Sequence, residues 1–404
     1  MHCSRRWLFL FLAGCFSPLA AFTQIDPYPR ALIQLGYNQA LEGHAPLAGY
    51  AFYYRNQPHF YATNLTLRLA VAPVYLDSEL GISHALGENT DLGIGLAGGG
   101  FADSYDEIRG GTFYPGESFT GDTAESSVSL YHLFNPTQRI PLNGILRGAL
   151  HGSFYSRDDE TDSGFRVPDN RLAGIVKAGL RWGGKEPLLY PSLAMEISLW
   201  YEGQLRSTDE AYGFSTNQFH VQSVSHLFWT QALLAYTLPE SQQNIYLDVI
   251  AGSSIDADHF SAYRLGALLP LASEFPLNLP GYYYQEISAR NFVLAGGNYI
   301  LPLDPKKRWN LSVTATTAFV DYLPGEGQPG NWHNGVGGGV LYQSPSFKLM
   351  VGYAYGVDAI RSHGRGANSI GFLMQFDLER AREILNLNPN GSRGLQKILG
   401  VFGS

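Results

Sequence analysis

The sequence predicts an all-β fold, a transmembrane antiparallel barrel of about sixteen strands with short periplasmic turns and long extracellular loops. Three observations predict it. Hydrophobic residues alternate with period two over stretches of ten or more residues, and the links between stretches alternate short and long. The chain is also rich in glycine (46) and tyrosine (25) while only 15% of it is charged, against an average of about 25%. A net charge of −8 and no Lys/Arg run argue against a nucleic-acid partner.

The first residues read as a targeting segment. "MHCSRR" is basic, "WLFLFLAGCF" is apolar but too short to span a bilayer, and "SPLAAFTQ" supplies small residues for cleavage. Residues 1–21 are therefore expected to be a signal peptide cut near Ala20–Thr23. Leu12-Ala13-Gly14-Cys15 resembles a lipoprotein box, so a cut before Cys15 stays open. Residues 22–30 form a short lead into the barrel. The chain's two cysteines, Cys3 and Cys15, both lie in the targeting segment, so the barrel needs another source of stability than disulfides. No later stretch offers the apolar run of a transmembrane helix.

In chain order the alternation places strands near 31–38, 48–56, 60–72, 74–85, 90–101, 123–134, 142–156 and 171–183. The second half continues with 190–206, 218–237, 244–253, 287–301, 309–320, 333–343, 346–356 and 367–377. "RWNLSVTATTAFVDY" (308–322) shows the pattern. Trp309, Leu311, Val313 and Phe319 fall on one parity, and Asn310, Ser312, Thr314 and Thr316 on the other. From the fourth strand on, short links ("GENT", "NPTQRIP", "GKEPLL", "LPESQQ", "PLDPKKR", "SPS") alternate with long ones at 102–122, 157–170, 207–217, 254–286, 321–332 and 357–366. That arrangement belongs to outer-membrane barrels. A sandwich has no reason to produce it. Closure pairs every backbone group in hydrocarbon, which answers the want of cysteine.

Charges sharpen the inside–outside reading. Arg68, Arg147, Lys177, Arg181, Glu196, Glu202, Asp248 and Lys348 all take the parity opposite the apolar stripe. A lysine or arginine facing mid-bilayer lipid would cost roughly 2–4 kcal/mol, so these eight are expected to line the lumen. They either border a water-filled path or pair with one another and fill the interior. Tyr201, Trp182, Trp309 and Tyr355 lie near strand ends, where interfacial girdles form.

The last strand, "SIGFLMQF", sets polar Ser369, then Gly371, then apolar Met374 and Phe376 at the spacing of a C-terminal barrel-assembly signal. From about 244 onward the chain resembles the bacterial surface antigen family, the sixteen-stranded barrels of BamA/TamA type. The resemblance rests on "SARNFVLAGGNYILPL" (288–303), "FVDY" (319–322) and "NGVGGGVLYQSPSFKLMVGYAYG" (334–356). It implies that the longest loop, 254–286, folds into the lumen. The family's apolar-Arg-Gly-aromatic tetrad matches Leu279, Pro280, Gly281 and Tyr282 here. Proline stands where the family's arginine makes its charged contact, so that contact does not carry over. The family's periplasmic POTRA domains have no room before the first strand and are expected to be absent.

Catalytic signals are thin. His151 and Ser153 share a strand face but no third member is identifiable, and the chain is expected not to be an enzyme. Asp158, Asp159, Glu160 and Asp162 in "RDDETDS" lack calcium-loop spacing and read as a solvated acidic loop; "DADH" (256–259) is equally unspecific. No cofactor or metal motif appears. Residues 378–404 carry Leu378, Ala381 and Leu385 at helical spacing and read as a periplasmic tail with short helices. The expected function is an outer-membrane pore or translocation-type channel, gated by the inward loop. The alternative is an assembly or scaffold protein binding a periplasmic partner through its tail or others through its loops. Expected surroundings are outer-membrane lipid and lipopolysaccharide, with the barrel-assembly machinery during insertion.

Overall fold

A computed structural model describes residues 25–185, 189–267 and 275–386. The targeting segment and tail residues 387–404 lie outside these. The alternating stretches form sixteen antiparallel strands. The first half comprises β1 (Arg30–Ala40), β2 (Ala48–Pro58), β3 (Leu65–Val71), β4 (Tyr75–Ile82), β5 (Thr90–Gly99), β6 (Phe119–Leu133), β7 (Leu142–Arg157) and β8 (Arg171–Gly184). The second comprises β9 (Leu193–Arg206), β10 (Val224–Thr237), β11 (Asn244–Ile255), β12 (Ile287–Pro302), β13 (Trp309–Tyr322), β14 (Trp332–Gln343), β15 (Phe347–Arg361) and β16 (Gly364–Asp377). Each pairs with its sequence neighbours, and β1 pairs with β16 from Leu32↔Asp377 to Ala40↔Ser369, which closes the cylinder. No edge remains to be covered.

The barrel is inside-out relative to a soluble protein. Leu146, Leu150, Val176, Leu180, Ile197 and Leu199 are all exposed, while Glu196, Ser198, Gln231 and Ser312 are buried. The apolar parity thus faces outward, as a hydrocarbon solvent requires. Trp182 and Trp309 lie outward near strand ends, whereas Tyr201 and Tyr355, expected there too, sit mid-strand because β9 and β15 run on to Arg206 and Arg361.

The largest departures from the sequence reading fall at three places. β3 and β4 are shorter than 60–72 and 74–85, because turns at 59–64, 72–74 and 83–89 take up the difference. β10 begins at Val224, and Asn217–Phe219 instead pairs with Tyr212–Phe214 in a separate small hairpin. The expected long loop 357–366 is a tight hairpin, with β15 running to Arg361 and β16 starting at Gly364. A register shift between Gly356 and Ile360 breaks the alternation there and hid the strand extension.

The tail begins as α1 (Leu378–Asn386), which packs against β1. Asp377 caps it, accepting a hydrogen bond from the Arg380 backbone N–H at 2.9 Å.

Candidate functional site

The lumen is occupied by the chain itself. From the long-loop end, segments 256–267 and 275–286 lie inside the wall, and the strand Tyr263–Leu265 pairs with the start of β12. Leu279, Tyr282 and Tyr283 are buried completely or nearly so. The turn at Pro280–Gly281 lands on the paired glycines Gly335 and Gly356 of β14 and β15. A β-carbon at Gly335 would stand 2.2 Å from the Pro280 carbonyl oxygen, and one at Gly281 would stand 1.8 Å from the Gly356 nitrogen. The glycine-rich strands are therefore a seat for the loop, since only backbone without side chains admits so close an approach.

Polar contacts then lock it. Tyr282 Oη lies 3.2 Å from His333 Nδ1, whose Nε2 is 2.6 Å from Tyr322 Oη on β13. The Arg361 guanidinium donates from Nη1 and Nη2 to the two Glu286 carboxylate oxygens, at 2.9 Å each. Both side chains are sealed, at 1% and 0% exposure. Arg361 also lies 3.7 Å over the Tyr283 ring, and Glu286 accepts from the Tyr283 N–H. In this pair the wall supplies the cation and the loop the anion.

From the short-turn end, residues 189 and 190 reach across to the opposite wall. Leu189 and Tyr190 pack on Ile300, Leu341, Met350, Ala354 and Leu373. Lys348 Nζ donates to the Leu189 carbonyl, and the Leu189 N–H donates to Gln375 at 3.1 Å.

Solved structures share this architecture. CdiB from Acinetobacter baumannii aligns at TM-score 0.54 with 12% identity, over 86% of this chain and 60% of that one. BamA from Haemophilus ducreyi lacking POTRA domains 1-3 aligns at 0.55 with 12% identity, over 87% and 70%. CdiB from Escherichia coli aligns at 0.53 with 11% identity, over 87% and 63%. The fold is that of a BamA-type barrel. This chain spans less than two thirds of the length of either CdiB chain. No family model matches it, and no curated protein matches it in sequence.

Within this BamA-type barrel the eight charges named from the sequence take the parity opposite the exposed apolar side chains of their strands, and several are paired. Arg147 meets Glu125 at 2.6 Å, Arg181 meets Glu196 at 3.4 Å, and Arg68 approaches Glu79 at 3.9 Å. Tyr131 donates to the same Glu79 at 2.8 Å. Lys177 lies over Trp200 and Trp229, Glu202 accepts from Gln204, and Asp248 abuts Gly296. A polar cavity of about 600 Å³ persists between wall and loop, lined by Glu125, Arg147, His151, Lys177, Glu202 and Arg206 among others. His151 has Glu125 at 3.0 Å from Nδ1 and Asp103 at 2.9 Å from Nε2, so carboxylates flank both ring nitrogens, and Ser153 is buried close by. On β16, Ser369 and Gly371 face inward, and Met374 and Phe376 take the outward parity. Asp158, Asp159, Glu160 and Asp162 lie exposed in their loop.

Sequence reasoning missed Arg361, Glu286 and a buried cluster of Glu107, His259 and Glu326 where three long loops meet. Burial, and next the Glu326 carboxylate, pushes the Glu107 carboxyl above the usual carboxylate range.

The loop seat is testable. Gly281→Val should release the loop, because φ is +87° there and the backbone it meets cannot retreat. Backbone strain alone is worth about 1–3 kcal/mol. Protease should then cut within 256–286 much faster than in the parent. Gly327→Ala, which meets nothing within 4 Å, should leave the digestion pattern unchanged.

Proposed function

We propose that this chain is an integral outer-membrane β-barrel acting as a gated pore or translocation-type channel, shut at rest by loop 256–286. Sixteen strands enclose a lumen wide enough for an aqueous channel. The observation that supports the gate is the sealed Arg361–Glu286 pair, which fastens the inward loop to the wall. The paired lumen charges are then the lining of the path that opens. No catalytic step is part of this reading. In the same reading lipopolysaccharide surrounds the long loops, and the barrel-assembly machinery pairs with the β16 segment carrying Ser369 to Phe376.

Planar-bilayer recording tests the proposal. The parent should show rare, brief openings, and Glu286→Gln should show openings at least tenfold more frequent. Silence from both would overturn it and favour an assembly or scaffold protein. That second reading draws on α1, which buries Ala381 and leaves Arg380, Arg382 and Glu383 exposed to a periplasmic partner.

A further inference from the structure

Glu107 comes from loop 100–118, His259 from the root of loop 256–286, and Glu326 from loop 323–331, far apart in sequence. One donor atom from each lies within 4.8 Å of the others. The three residues are 1%, 7% and 5% exposed. Glu326 Oε1 is 3.2 Å from His259 Nε2. Glu326 Oε2 and Glu107 Oε1 are buried with no hydrogen-bond partner. Two buried carboxylates with orphaned oxygens are costly unless a cation sits between them or one of them takes up a proton. The nearest guanidinium is not that cation. Arg109 approaches Glu107 only at 3.5 Å and gives its close contact, 2.6 Å, to Glu117. Edge contacts from Phe219 and Tyr105, with ring centroids at 4.5 and 5.6 Å, hold the imidazole in place.

We infer that Glu107, His259 and Glu326 form a site for one divalent transition-metal ion, zinc in the first instance, that staples three long loops at the barrel mouth. The donor set selects the metal. Calcium and magnesium take oxygen ligands, whereas an imidazole with carboxylates and no thiolate suits zinc. Zinc draws such donors to about 2.0–2.2 Å, which these loop residues reach by a short inward movement. Three protein ligands leave a fourth position for water. His259 stands at the root of the inward loop, so the ion would tie that root to its neighbours. The site does not depend on the pore proposal, because a non-conducting barrel would bind the ion equally.

The test uses the full chain in detergent, stripped with chelator, incubated with zinc, desalted and assayed for metal by mass spectrometry. One zinc per chain is expected. Glu326→Gln and His259→Gln should each weaken zinc binding at least tenfold while keeping the gel shift of a folded barrel. The double variant Asp158→Asn/Asp159→Asn, on the exposed acidic loop, should bind like the parent. Zinc-edge absorption of the parent should report a first shell of nitrogen and oxygen containing one imidazole, and it needs no variant to fold. Absence of retained zinc, a first shell of oxygen alone, or parental binding by Glu326→Gln would overturn the site.

Discussion

Arg361→Leu is expected to destabilise the folded barrel by about 3–5 kcal/mol, the usual effect of removing one partner from a buried ion pair. The cost arises because the Glu286 carboxylate stays behind fully sealed, with the Tyr283 N–H its one remaining hydrogen-bond donor among the described residues. Tyr283 also loses the cation over its ring. Arg361→Leu/Glu286→Leu should recover most of the loss, since no uncompensated charge remains and paired apolar replacements are often neutral. Equilibrium unfolding in urea, read by the gel shift of unheated samples, measures all three proteins. A single variant within about 1 kcal/mol of the parent would mean that water reaches the pair, and the seal would be wrong.

A charge placed on the outer face should hurt according to depth. Leu199 sits mid-strand on β9 at 60% exposure, while Leu303 follows the end of β12 at 57%. Leu199→Arg should cost roughly 2–4 kcal/mol, and Leu303→Arg close to 0–1 kcal/mol, as the lipid-facing depth profile requires. In plain water the two would be indistinguishable, since their exposures match. Equal effects on the unfolding free energy in lipid would therefore remove the bilayer from the account.

The inward loop was legible because Gly281 and Tyr282 kept their places in "LPGY", and because glycines cluster in "NGVGGGV". Its lock was not. Arg361 lies beyond the register shift in β15, and a one-residue slip moves every later side chain to the other face. Counting parity from Tyr353 and Tyr355 puts Arg361 outside, whereas it is buried inside. The mouth cluster was hidden for a different reason. Glu107, His259 and Glu326 sit in irregular loops without periodicity, and "DADH" alone says nothing about which carboxylates come to meet it.

By itself the sequence determined the antiparallel barrel, its strand number to within two and the outward parity of the regular strands, since a strand's faces alternate with period two and one wrong parity in hydrocarbon costs several kcal/mol. Only the tertiary structure decided what fills the cylinder. The Arg361–Glu286 clamp, the turn at 189–190 against Lys348 and the three-loop cluster join residues far apart along the chain. Such contacts are made by closure of the barrel and the fold of its loops, and no local pattern records them.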